Sequence, residues 1–206
     1  MYDNGANTSI CAISTFHFSF PMNTLLALDR AIFHVLNSTV ANPAFDVVMP
    51  FITDMSNIVP VMIAIMLIIL WQGSREDIVF MLLACCALLL ADPATTYLKQ
   101  TFQRSRPCQE LADARALGGC GKSKSFPSGH GTNNGAVAMA AAMVFGWRAS
   151  RSWWLAAGII SYSRVYMGVH YLSDVLAGML LGAAISFCLG ALWRRIFVRN
   201  TYLRIA

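Results

Sequence analysis

The sequence predicts an all-α, polytopic membrane helix bundle, and three observations carry that prediction. Hydrophobic residues make up 57% of the 206 residues and charged residues 12%, with a mean hydropathy of +0.56. A water-facing domain needs about 25% charged residues to cover its surface, so this chain carries roughly half of that. The apolar residues also fall into runs separated by short polar turns, and Arg75, Arg148, Arg151, Arg194, Arg195, Arg199 and Arg204 stand at the ends of those runs, where basic residues flank membrane spans. Intrinsic disorder, collagen-like or coiled-coil rods and a multi-domain soluble enzyme are excluded by the same arithmetic.

Residues 1–45 form an N-terminal amphipathic segment, and residues 46–206 a membrane-embedded domain. No signal peptide is expected, because residues 1–9 lack a basic stretch ahead of an apolar core. Residues 23–40 mix Leu25, Leu26, Leu28, Ile32, Phe33, Val35 and Leu36 with Asp29 and Arg30, which predicts a helix lying in the interface. Five transmembrane helices follow at residues 46–71, 78–98, 133–147, 153–167 and 172–197. A sixth forms only if residues 10–36 cross, which would bury Asp29 and Arg30 at a cost of several kcal/mol. The third and fourth runs are shorter than the roughly 20 residues a bilayer core requires and must borrow flanking residues. The third is rich in small residues that allow close helix packing. Asp92 interrupts the second span and is expected to pair with a polar group inside the bundle.

The spans place the turn at 72–77, the turn at 148–152 and the C-terminal tail on one side. The polar loop at 99–127 and the turn at 166–171 lie on the other. The positive-inside rule sets the first group in the cytoplasm and the long loop outside. Cys85, Cys86 and Cys188 fall within spans and serve as small apolar residues. Cys108 and Cys120 are the pair within the long loop, and an oxidising compartment would join them in a disulfide worth on the order of 3 kcal/mol. No Cys/His spacing typical of a structural zinc site occurs.

Three clusters gather at the outer face. The first contains Lys99, Arg106 and Pro107. The second is Pro127-Ser128-Gly129-His130. The third runs from Ser163 and Arg164 to His170 and Asp174. Arginine offers a planar fork for two phosphate oxygens and lysine a compact point charge. Ser128 and Gly129 open a helix whose free N–H groups form an anion site, and Gly129 lets an anion approach the backbone. His170 and Asp174 share one helix face at i, i+4, so a carboxylate can hold one ring nitrogen while the other serves as nucleophile or base. Singly, each residue fits an ordinary role, such as snorkelling or helix capping. Their convergence on one membrane face, in a chain so poor in charge, points to an anionic substrate. The net charge of +5 is therefore assigned to substrate and topology, and no nucleic-acid partner is expected.

The three clusters resemble the signature of the type 2 phosphatidic acid phosphatase superfamily: Lys-x6-Arg-Pro, Pro-Ser-Gly-His and Ser-Arg-x5-His-x3-Asp. Every fixed position is matched, by Lys99, Arg106, Pro107, Pro127, Ser128, Gly129, His130, Ser163, Arg164, His170 and Asp174. The resemblance implies a phosphatase that uses neither a metal nor another cofactor and proceeds through phosphohistidine. His170 would attack phosphorus, Asp174 orient it, and His130 protonate the leaving oxygen. Lys99, Arg106, Arg164, Ser128 and the Gly129 amide would hold the phosphoryl oxygens. A lipid phosphate lying among membrane lipids is the implied substrate. An undecaprenyl diphosphate phosphatase of the bacterial inner membrane, with its site outside and its C-terminus in the cytoplasm, is the favoured member. Phosphatidylglycerol phosphate, phosphatidic acid or lipid A phosphatases and a lipid phosphotransferase are the alternatives.

Overall fold

The computed structural model describes residues 22–198, and all its regular elements are helical. Expectations for residues 1–21 and 199–206 fall outside this range. Eight α-helices follow in order: α1 (Met22–His34), α2 (Pro43–Phe51), α3 (Met55–Gln72), α4 (Arg75–Phe102), α5 (Pro107–Glu110), α6 (Gly129–Phe145), α7 (Arg151–Tyr166) and α8 (Leu172–Trp193). Short π turns at Val35–Thr39 and Arg194–Val198 extend α1 and α8.

Local chemistry sets the boundaries. Ser74 and Asp77 close a capping box at the start of α4, and Gln103, at φ 51°, ends that helix. The expected first span is divided into α2 and α3. Asp54 caps α3 by accepting from the Ser56 N–H at 2.9 Å, and the chain turns at Thr53. An aspartate within the run prefers this local bond to a continuous helix.

Three segments are long and apolar enough to cross a membrane: Met55–Gln72, Arg75–Glu110 and Leu172–Phe197. Helices α6 and α7, of 17 and 16 residues, reach only about 25 Å at 1.5 Å per residue. They pack among the longer helices. Side chains such as Val61, Leu67, Leu89, Leu155 and Leu180 are exposed, as a lipid-facing surface requires. Cys85, Cys86 and Cys188 are free and lie on that surface. Asp92 is exposed on α4 and does not point into the bundle as its position suggested.

The centre of the bundle is the contact between α6 and α8. A Cβ on Gly182 would lie 1.8 Å from the Thr132 carbonyl oxygen, and one on Gly135 2.2 Å from that of Met179. The two backbones therefore touch directly, a packing that only glycine permits. Ser186 Oγ donates to the Ala136 carbonyl at 2.6 Å across the same seam. This contact fixes the start of α6 against the start of α8.

Helix α1 buries Asp29, Phe33 and Asn37 along one stripe and exposes Leu25, Leu26 and Leu28. Its inward face carries the polar groups, the reverse of a soluble amphipathic helix.

Gly182→Ala should lower the unfolding midpoint in detergent strongly, by the equivalent of about 3 kcal/mol, the upper end of ordinary overpacking. Gly158→Ala, where an added Cβ meets nothing within 4 Å, should leave the midpoint unchanged or raised.

Candidate active site

The C-terminal end of α4, the starts of α6 and α8, the α7–α8 turn, the α2–α3 break and the 103–128 loop meet at one end of the bundle. His170 lies in the α7–α8 turn and is 3% exposed. Val169 and His170 both donate their N–H groups to the Arg164 carbonyl, at 3.2 and 3.3 Å. Gly168, at φ +76°, lets the turn pass the Arg115 carbonyl, which would lie 2.3 Å from any Cβ.

The His170 ring sits between an arginine and a carboxylate. Nε2 is 3.4 Å from Arg106 Nη1. Nδ1 is 3.5 Å from Asp174 Oδ2 and 3.4 Å from Ser125 Oγ. Burial lowers the imidazole pKa from 6.5 to about 4, with Arg106 and Lys99 adding to the effect and Asp174 opposing it. The ring is therefore neutral at pH 7.

Asp174 is fully buried. Its Oδ2 accepts from the Tyr171 N–H at 2.9 Å and from the Ser125 hydroxyl, and its Oδ1 accepts from Arg104 Nη1 at 2.6 Å. Its backbone carbonyl accepts from the Ser128 N–H at 2.9 Å, tying the start of α6 to that of α8. Ser128 caps α6, its hydroxyl accepting from the Gly131 N–H at 3.4 Å. Gly129 is the first residue of that helix, and a Cβ added there would meet nothing nearer than the Thr95 methyl, at 3.9 Å.

The cations surround this pair. Arg106 donates through Nε and Nη2 to the carbonyl and hydroxyl of Ser123, both at 2.7 Å, and through Nη1 to the Val169 carbonyl at 3.1 Å. Lys99, in the last turn of α4, donates to the Lys124 carbonyl at 2.6 Å. Arg164 Nη1 donates to Thr53 Oγ1 at 3.2 Å, and the Thr53 backbone hydrogen-bonds His130. Lys99, Arg106 and Arg164 all act electrostatically on His130, and Lys99 and Arg106 act on His170. Arg164 Nε and His130 Nε2 are buried and have no hydrogen-bond partner among the described residues. The Arg164 Nε–H is a donor that a bound oxyanion would satisfy, and His130 Nε2 pairs with such an oxygen when a proton lies between them.

Cys108 and Cys120 are joined in a disulfide with 5.9 Å between their α-carbons. Gln109 Nε2 donates to the Gly121 carbonyl at 3.0 Å beside it. Together they brace the loop between Arg106 and its partner Ser123. Among the described residues, no group of three or more His, Cys, Asp or Glu side chains is arranged to hold a metal ion.

All eight predicted catalytic and phosphate-binding positions thus lie at one end of the bundle. Four further residues were not foreseen. Arg104 and Ser125 both hold Asp174, and Thr53 touches both Arg164 and His130. Asp29 binds Arg104 Nη2 at 2.7 Å. The spacing of Arg104 two residues before Arg106 was the available signal; Thr53 and Asp29 had none, since they arrive from distant parts of the chain.

The sequence profile of the PAP2 superfamily matches residues 78–200. Fold and match together define a membrane-embedded lipid phosphatase. The chain belongs to the PAP2 superfamily. A lipid A 4'-phosphatase of Porphyromonas gingivalis is 27% identical over 169 residues, covering 78% of this chain and 71% of the relative. An undecaprenyl-diphosphatase of Sulfolobus acidocaldarius is 46% identical over 70 residues, 31% of each chain. The fold is similar to that of a PAP2-type phosphatidylglycerolphosphate phosphatase from Bacillus subtilis, with a TM-score of 0.65 and 24% identity over 86% of this chain and 90% of the other. Aquifex aeolicus LpxE superposes with a TM-score of 0.64 at 23% identity, over 78% and 93% of the two chains.

Replacing Cys108 and Cys120 together by Ser should destabilise the protein by about 3 kcal/mol, the loop-closure value for this separation. Thermal unfolding in detergent measures it, with Cys85→Ser, on the lipid-facing surface, as the unchanged control.

Proposed function

We propose that this protein hydrolyses the phosphate of a lipid-borne phosphomonoester or diphosphate through a phosphohistidine at His170. The observation that carries this reading is a buried imidazole held between Arg106 at Nε2 and Asp174 at Nδ1, at the same end of the bundle as the unpartnered nitrogens of His130 and Arg164. His170 Nε2 attacks phosphorus; the N–P bond forms as the bond to the lipid oxygen breaks, and that oxygen takes a proton from His130, which the negative charge of the bound phosphate keeps protonated against the burial and the Arg164, Arg106 and Lys99 charges that lower its pKa. Water then attacks phosphohistidine as His130 takes one of its protons, releasing inorganic phosphate and regenerating His170. Lys99, Arg106, Arg164, Ser128 and the Gly129 amide hold the oxygens on which negative charge spreads. Asp174 orients the ring from the Nδ1 side. No metal enters this scheme.

Undecaprenyl diphosphate is the proposed substrate, supported by the 46% identity to an undecaprenyl-diphosphatase across a 70-residue stretch. Lipid A is the second reading, supported by the longer match to a lipid A 4'-phosphatase. The proposed location is the bacterial inner membrane, with the site on the outer face and the C-terminus in the cytoplasm. The disulfide beside the site suits an oxidising compartment. Arg148, Arg151, Arg194 and Arg195 stand at the opposite end of the bundle, as cytoplasmic basic residues do.

Phosphate release from purified undecaprenyl diphosphate, phosphatidylglycerol phosphate, phosphatidic acid and lipid A tests the substrate, and fastest turnover of the first is expected. His170→Ala should lower turnover of every active substrate by at least about 1,000-fold; retained turnover would sink the mechanism.

The depressed His170 pKa sets a second expectation. A nucleophile that is neutral down to about pH 4 keeps its reactivity where an ordinary imidazole, of pKa 6.5, loses about tenfold by pH 5.5. Single-turnover phosphorylation by a p-nitrophenyl phosphate ester, whose leaving group needs no proton, should change little between pH 7 and pH 5.5.

A further inference from the structure

We propose that Asp29, on α1, and Arg104 form a positioning relay that keeps the charge of Asp174 available to His170. The inference rests on the reading of His170 as the nucleophile. Asp29 lies outside the stretch 78–200 matched by the superfamily profile, and it enters the site from a helix that no motif covers.

Arg104 spans two carboxylates. Nη1 donates to Asp174 Oδ1 at 2.6 Å, and Nη2 donates to Asp29 Oδ2 at 2.7 Å. Ser173 closes the group: its hydroxyl accepts from Arg104 Nη1 at 2.7 Å and donates to Asp29, and its N–H donates to Asp29 Oδ1 at 3.2 Å. The guanidinium carbon sits 4.1 Å from the centre of the Tyr171 ring, so the fork has little freedom. Asp29 is 9% exposed and Asp174 fully buried.

The electrostatic logic follows from this geometry. Attack by Nε2 leaves positive charge on the imidazole ring, and Asp174 is placed to balance it. Arg104 alone would cancel Asp174, leaving a neutral pair behind a ring that is becoming cationic. With Asp29 on its other edge, Arg104 serves two carboxylates, and the three groups carry a net charge of −1. Arg104 then fixes the position of Asp174 without consuming its charge. Arg106 faces His170 from its Nε2 side, and neither Arg106 nor Lys99 hydrogen-bonds a member of the relay.

The test is a double-mutant comparison on the purified full-length chain with dioctanoyl phosphatidate as substrate. Asp29→Asn brings the cluster to zero charge and should lower kcat on the order of tenfold, with KM within about twofold. Asp29→Asn combined with Arg104→Gln returns the cluster to −1 and should recover most of that loss. A structural role alone predicts the opposite, a double variant no better than Asp29→Asn. Wild-type kcat in Asp29→Asn, a loss carried by KM alone, or no recovery in the double variant would each overturn the relay. Should Asp29→Asn fail to elute as a folded protein, Ser173→Ala opens the clamp without changing charge. It should then reduce kcat at least about threefold, and unchanged kcat would overturn the proposal. His170→Ala, run in parallel, separates the two ideas. Turnover in His170→Ala removes the nucleophile itself, whereas an inactive His170→Ala beside a fully active Asp29→Asn removes the relay alone.

Discussion

One end of the bundle is organised around one buried negative charge. Asp174 has no solvent, and an ionised carboxylate taken out of water costs several kcal/mol unless it is paired and fully hydrogen-bonded. The Tyr171 amide, the Ser125 hydroxyl and the Arg104 guanidinium meet that demand, with His170 Nδ1 alongside. Ser125 and Arg104 come from the 103–128 loop, and His170 and Tyr171 from the α7–α8 turn. The loop, the turn and the start of α8 are therefore held together by one side chain. The residues that make the site are also those that close the bundle at this end.

The seam between α6 and α8 gives that arrangement its rigidity. Ser128 begins α6 with its N–H on the Asp174 carbonyl, and the glycines that follow bring the two backbones into contact. The helix N-terminus carrying Ser128, Gly129 and His130 is thereby set at a fixed height relative to His170. By contrast, α3 is almost wholly exposed and meets mainly α4. The site rests on the tightly packed part of the bundle, and α3 reaches it only through Thr53 at its entrance.

Much of this was legible in the sequence, for a physical reason. In a chain with so few charges, Lys99, Arg106, His130, Arg164, His170 and Asp174 stand out at the ends of apolar runs, and their spacing places them on common faces. Helical character and the polar loop were equally plain. What hydropathy could not supply was the break at Thr53, where one aspartate cap outweighs a continuous apolar run; the shortness of α6 and α7 was already visible in the runs at 133–147 and 153–167. Nor could it supply Asp29. Within residues 23–40 an acidic side chain reads as solvated, because periodicity reports which residues share a face and not what that face meets. Asp92 failed in the opposite sense: a charge within an apolar run suggested an inward partner, and the helix turns it outward.

The order in which the chain is made gives the Asp29–Arg104–Asp174 cluster a further consequence. The first two residues lie 75 positions apart and the last two 70. Asp29 emerges early and has no counter-ion until two long apolar helices have been threaded and the loop after α4 is complete. Asp174 arrives last, with the helix that finishes the bundle. A partly inserted chain thus holds cations at this end of the bundle without the carboxylate that organises them. The cluster is complete only when the final helix of the bundle has been made.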